Sequence, residues 1–234
     1  MSLLLRERDP HLKEFMDDPD CDLDLLHATY NQFQTVNKLL GGWHKIYKSY
    51  IRPALSAAGG DATLLDIGCG GGDILSLLDS FCRRDNLTVH FTGIEPDARA
   101  IQYVEKQKWP ENFTFLNTTS HELVQQNSDY TVVISNHLVH HLSANELNHV
   151  CSDAEKLAQT KVIFSDIERS AIGYLCFKTI APLLFRNSFI VADGVRSIRR
   201  SYKKDELDQH LPDTWSVRRQ FPFRLLAIYD GENS

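Results

Sequence analysis

The sequence has no stretch approaching the ~20 apolar residues that span a bilayer. It also has no Cys-x-x-Cys pair, no internal repeat, no low-complexity tract and no Pro/Gly/Ser-rich linker. The first absence argues against a membrane span, and the others against a zinc ribbon, a solenoid and a chain of loosely tethered domains. The five cysteines, Cys21, Cys69, Cys82, Cys151 and Cys176, are odd in number and scattered, which suits reduced thiols in a cytoplasmic protein rather than a disulfide framework. An excess of basic charge is lacking too. With 25 Lys and Arg against 31 Asp and Glu, the net charge is −6, and such a surface repels nucleic acid and anionic membranes except where a local basic patch intervenes. No nucleic-acid partner is expected. The opening apolar run, Met1–Leu5, meets Arg6, Glu7, Arg8 and Asp9 at once and is too short for a signal peptide.

What is present is ordinary globular composition, 42% hydrophobic and 24% charged over 234 residues, enough for one α/β core with a helical addition. Residues 1–58 show no strand-like alternation, and Leu23, Leu26, Tyr30 and Phe33 recur at helical spacing, so this part is expected to be a helical cap. Gly41 and Gly42 interrupt it before a second helix from Trp43 to about Leu55, with Pro53 near its end. Gly59 and Gly60 lead into the core, residues 59–234.

From residue 62 short β-rich runs alternate with helical lengths, the pattern of a mostly parallel sheet covered on both faces. The expected strands are 63–67, 89–94, 113–116, 131–135 and 161–166. Two more, 216–221 and 224–229, flank Phe-Pro-Phe and can only be antiparallel neighbours, because a parallel crossover needs about a dozen residues or more. The fold class is therefore α/β: a doubly wound, Rossmann-like, mostly parallel seven-stranded sheet with a terminal antiparallel hairpin and an N-terminal helical cap. An insertion at about 170–204 precedes the hairpin. Its first part, 172–185, is an apolar helix interrupted by Pro182 that packs in the core or walls a pocket, core being the preferred reading. Its second part, 193–204, carries Arg196, Arg199 and Arg200.

The chemistry concentrates after the first strand, where Asp66-Ile67-Gly68-Cys69-Gly70-Gly71-Gly72 opens a helix at Asp73. Glycines there allow positive φ and close approach of a ligand to the backbone, at the carboxyl end of the strand where such sheets bind ligands. Glu95 ends the second strand at about the spacing where a carboxylate meets a ribose diol. A plain glycine turn and a solvated strand-end glutamate are the bland alternatives. The glycine spacing also departs from the Gly-x-Gly-x-x-Gly dinucleotide fingerprint.

The Asp66–Gly72 run resembles the first motif of class I S-adenosylmethionine-dependent methyltransferases, and Ile94-Glu95-Pro96 resembles their acidic-loop motif. The likeness is greatest to the ubiquinone and menaquinone biosynthesis methyltransferases and related small-molecule enzymes, whose helical entry segment is similar to Tyr30, Asn37, Gly42, Lys45 and Tyr47 with altered spacing. The resemblance implies S-adenosyl-L-methionine as cofactor, held by Asp66, Gly68, Cys69, Gly70, Gly72, Glu95 and Pro96, with Tyr30, Thr118, Thr119, Asn136 and His137 around it. After the third strand the family usually has an acidic residue near the adenine, where this chain has Leu116-Asn117-Thr118-Thr119.

The fourth strand runs into Asn136-His137-Leu138-Val139-His140-His141, similar to the family's fourth motif. His137 and His141 would share a helix face if the helix began that early, but no cysteine or carboxylate joins them at ligand spacing, so no metal is expected. His140 or His141 could instead be a general base, or a histidine packed at the start of a helix. Arg196, Arg199 and Arg200 could meet an anionic group of a small-molecule substrate or an acidic carrier protein; a charge run is more often a solvated face. The expected activity is methyl transfer to a small apolar aromatic, quinone-like or polyketide-like molecule. A non-catalytic relative of the fold, a nucleotide-dependent oxidoreductase and a methyltransferase acting on protein or nucleic acid are the alternatives.

Overall fold

The computed structural model describes residues 5–231. Helix α1 (Leu23–Leu40) is capped by the Asp22 side chain, which accepts from the amides of Asp24 and Leu25. After the left-handed Gly42 come α2 (Trp43–Ile46), a π-helical turn over Tyr47–Ile51, and α3 (Arg52–Ala58). Pro53 therefore lies in the first turn of α3 instead of closing the helix. Proline has no amide to give the preceding turn, and the Arg52 amide reaches back five residues to the Tyr47 carbonyl.

The core alternates as its sequence pattern requires: β1 (Ala62–Ile67), α4 (Asp73–Arg84), β2 (Val89–Ile94), α5 (Ala98–Glu105), β3 (Phe113–Leu116), α6 (Ser120–Gln125), β4 (Tyr130–Asn136), α7 (Ala144–Leu157) and β5 (Ala158–Ile167). The insertion forms α8 (Ala171–Leu184), α9 (Ile190–Arg200) and α10 (Lys204–His210), and β6 (Trp215–Gln220) and β7 (Arg224–Asp230) complete the sheet. Strand order is β3-β2-β1-β4-β5-β7-β6, with β1 to β5 parallel and β7 antiparallel to both of its neighbours. This is the expected doubly wound sheet, and its order reverses between β1 and β4, where a ligand crevice forms at the carboxyl ends.

Strand periodicity divides the apolar residues between two layers. Leu64, Val132, Ile134 and Ile163 face α4 and the Ile46, Tyr47, Ile51 and Leu55 side of the N-terminal helices. Leu65, Val133, Val162 and Phe164 face α7 and α10. The N-terminal helices thus cover one sheet face beside α4. Helix α8 departs from expectation twice. It runs unbroken through Pro182, at the surface, where water can reach the carbonyl that proline leaves unpaired. It is also mostly outside the core, burying only Gly173 and Ala181.

Candidate active site

A cavity of about 450 Å³ opens at the β1/β4 reversal, within the ~300–1,000 Å³ usual for small-molecule sites. Its floor is the loop after β1. Gly68, Gly70 and Gly72 all have positive φ (72°, 51° and 76°), which only glycine adopts without strain, so the chain turns sharply from strand into α4. A Cβ on Gly70 would meet no protein atom nearer than the Tyr30 ring at 3.8 Å and would project into the cavity. Gly72 differs. It does not line the cavity, and a Cβ there would strike Trp109 and Phe115 at about 3 Å, so this glycine serves packing.

Glu95 braces the loop from β2: one carboxylate oxygen accepts the Gly70 amide and the other the Asp97 amide, both at 3.1 Å. Burial raises its pKa against the pull of these two donors. Asp66 is buried, with one carboxylate oxygen lacking a hydrogen-bond partner among the described residues; burial, then Asp73 and Glu95, raises its pKa well above the usual range. An unpartnered acidic group lining a cavity is a place for a donor from a bound molecule. Cys69, Pro96, Thr118 and Thr119 share the lining. Thr119 caps α6 through a reciprocal pair with Glu122, and Asn117 turns back onto the carbonyls of Glu95 and Pro96. Tyr30 closes over the loop from α1, tilted against Tyr103.

A polar chain that sequence reasoning missed runs along the far wall. Asp73 accepts from the Asn37 amide at 2.9 Å, Asn37 from Asn136 at 3.2 Å, and Asn136 from Arg224, which also donates to Ser165 at 2.8 Å and approaches His137 Nε2 at 2.9 Å. Burial lifts Asp73 to about 6 although Asn37 and two backbone amides oppose it. Burial and the Arg224 charge drive the His137 pKa well below its ordinary value, so its imidazole is neutral. With Nε2 accepting from a guanidinium, the remaining proton sits on Nδ1. Asn37, Asn136 and His137 stood out in the sequence, but not their connection; Arg224 had only a local signal, an arginine opening the otherwise apolar run Leu225–Ile228.

His140 and His141 also line the cavity, on a 3-10 turn over Val139–His141 that precedes α7 rather than on a helix. His137 stands outside that turn at φ 61°. His140 is only 2% exposed, with Nδ1 2.7 Å from Asp166 Oδ1 and Nε2 3.2 Å from Glu14 Oε1, the latter off the line of the ring N–H. Burial alone would lower its pKa, but the two carboxylates outweigh it and push it up to about 9. A ring already protonated at neutral pH and flanked by carboxylates cannot take a proton, so the general-base expectation fails for His140. His141 is different: partly exposed, with Nδ1 3.3 Å from Asp17. Glu14, His140 and His141 lie close enough to hold a metal ion, as do His137, His140 and Asp166. The His140 proton and Arg200, 3.5 Å from Glu14, already supply positive charge to the first group, and Arg224 does so beside the second.

The arginine expectation is also corrected. Among the described residues Arg199 pairs with Asp9, and Arg200 with Asp17 and Glu14; Arg196 donates to the Ala192 carbonyl and stacks on Phe15. None lines the cavity. Their partners belong to residues 9–17, the segment that brings Glu14, Met16 and Asp17 onto the cavity as one wall.

A second, almost wholly apolar cavity of about 230 Å³ adjoins the first. Val36, His137, Ile167, Phe177 and Gly194 line both. Gly194 lets α9 approach α8, since a Cβ there would lie 2.3 Å from the Phe177 ring.

Residues 64–161 match the family model described as methyltransferase domain. No curated protein sequence matches the chain. Among solved structures, the plantazolicin methyltransferase BpumL in complex with SAH is similar at TM-score 0.54 and 14% identity, covering 93% of this chain and 92% of that one. BamL, another plantazolicin methyltransferase, with a triazolic desmethylPZN analog and SAH, gives 0.50 and 17% over 84% and 78%. The methyltransferase domain of bacterial CtHen1 gives 0.51 and 16% over 86% and 100%. Residues 64–161 thus match a methyltransferase domain, and the chain as a whole has the fold of these solved methyltransferases, of which BpumL and BamL hold SAH.

Proposed function

We propose that the protein transfers the methyl group of S-adenosylmethionine to a small, apolar molecule with an aromatic, quinone-like or polyketide-like body. The observation that carries this reading is the pair of joined cavities. The larger is floored by the glycine loop and Glu95; the smaller is greasy, and His137 stands where they meet.

In this reading the cofactor lies on Gly68–Gly70, with Glu95 and the unpartnered Asp66 oxygen facing its polar groups and Tyr30 covering it. The bound sulfonium supplies a methyl carbon already activated by positive charge. The chain's own work is to orient and to exclude water. Phe177, Ile167 and Val36 hold the acceptor's apolar body, and the His137 Nδ1–H offers it one hydrogen bond. His141 is the side chain suited to take an acceptor proton, its ring oriented by Asp17.

Incubation with S-adenosylmethionine and a panel of phenols, quinols and polyketides, followed by mass spectrometry, tests the proposal. A single added methyl on an apolar aromatic acceptor is expected. Tight binding of S-adenosylhomocysteine with no methyl gained across the panel would point to a non-catalytic relative of the fold.

A further inference from the structure

We propose that α8 and the end of α1 dock the protein on an anionic lipid surface, with the apolar cavity opening onto that surface. This goes beyond methyl transfer and does not depend on it.

Helix α8 is apolar on its outward side as well as its inward one. Gly173, Phe177 and Ala181, four residues apart, form its inward face: Gly173 and Ala181 are buried, and a Cβ on Gly173 would lie 3.0 Å from Phe223. Ile172, Leu175 and Leu183 stand on the other side of the helix, and Ile180 and Leu184 flank the inward face, where they line the second cavity. These are apolar yet exposed, Leu183 by 73% and Ile172 by 67%. Leu39 and Leu40, at the end of α1, extend the patch, because they line the second cavity together with Ile180 and Leu184 while remaining exposed. Leu39, Leu40, Ile180 and Leu184 thus belong both to the cavity and to the exposed patch, and Ile172, Leu175 and Leu183 carry the patch beyond it. Contiguous exposed apolar surface of this kind marks an interaction site.

Charge identifies the occupant. The protein is acidic overall, but no Asp or Glu occurs from Leu25 to Gly60 or from Ser170 to Ala192. The charged side chains beside the patch are Lys38, Lys178 and Arg186, all exposed and none in an ion pair among the described residues. The one acidic residue on the cavity among the described residues, Glu168, is paired with Arg219 at 2.7 Å. An apolar face fringed only by cations matches the headgroup boundary of an anionic bilayer, where leucines enter and lysines meet phosphate. A second copy of the chain would instead bring like charges together around the patch. No helix among the described residues is long and apolar enough to cross a bilayer, so the contact lies on the membrane and does not span it.

Cosedimentation of the full chain with vesicles of equal parts phosphatidylglycerol and phosphatidylcholine, against vesicles of phosphatidylcholine alone, is the test. Binding to the anionic vesicles alone is expected, weakening as salt screens the charges. The double variant Ile172→Glu/Leu183→Glu, at positions outside both cavities, should cut the bound fraction about tenfold or more, and Lys178→Glu should cut it with anionic vesicles. Unchanged affinity for S-adenosylhomocysteine by calorimetry shows that these variants are folded. If the double variant unfolds, Leu183→Ser serves in its place. Equal sedimentation with and without anionic vesicles would overturn the proposal. So would wild-type binding retained by a folded double variant, or a dimer in sedimentation velocity that this variant dissolves while vesicle binding is absent.

Discussion

Replacing His140 with glutamine separates a structural imidazolium from a catalytic base. The folded protein holds His140 protonated, with a pKa of about 9 against an ordinary 6.5. A difference of about 2.5 units at ~1.4 kcal/mol each gives a contribution of about 3 kcal/mol. Because the folded pKa is raised, this stability is fully present below about pH 6.5 and is lost as pH rises through about 9. The glutamine variant can still donate to Asp166 but leaves the Asp166 and Glu14 carboxylates without a cation between them.

Urea denaturation followed by circular dichroism should therefore show the variant less stable than the wild type by about 3 kcal/mol at pH 6, with the gap closing toward pH 10. Turnover per folded molecule should change little. A gap of the same size at both pH values would refute the charge argument. A loss of turnover of about 10²–10⁴-fold in a variant of wild-type stability would return His140 to the role of base.

Glu95→Ala should weaken binding of S-adenosylhomocysteine by about 1–3 kcal/mol, measured by calorimetry, because the carboxylate both faces the cavity and braces the Gly70 amide; unchanged affinity removes Glu95 from the site. Gly70→Val should abolish cofactor binding with most of the fold retained, since its side chain would enter the cavity from a backbone at φ 51°; normal binding would make Gly70 a turn residue only. His141→Gln should lower turnover about 10²–10⁴-fold at unchanged cofactor affinity if His141 takes the acceptor proton, and full activity would leave orientation as the whole mechanism.

The parts of this molecule that were legible in the sequence are those written locally. The β-rich runs at 89–94 and 131–135, the glycines after Asp66 and the short Phe-Pro-Phe link each specify their own geometry within a few residues, and the sheet follows from their order. The Asp73–Asn37–Asn136–Arg224 chain is of another kind. Each link joins different elements, and an asparagine in a helix or an arginine opening a strand has no pattern that announces a partner about 36, 88 or 99 residues away. The outward leucines of α8 failed for a related reason. Apolar spacing marks a helix face that avoids water, but not whether another element of the same chain is there to cover it.

The basic stretch carries that reasoning furthest. By composition, Arg196, Arg199 and Arg200 suited a solvated face before a substrate anion or an acidic carrier, since charge without position names no partner. The structure supplies acidic partners from the other end of the chain: Asp9, Glu14 and Asp17, with Asp193 also accepting the backbone amides of Phe15 and Met16. Arg8 donates to the carbonyls of His140, Leu142 and Arg200, and Arg99 to those of Met16 and Asp18, so the same segment is fastened from several sides. These contacts matter chemically because Glu14 is one of the two carboxylates, with Asp166, that hold His140 protonated, and Asp17 lies 3.3 Å from His141 Nδ1. The arginines thus reach the site indirectly: by holding residues 9–17 against α9 they place Glu14 beside His140, where it joins Asp166 in making that ring a fixed cation, and Asp17 beside His141.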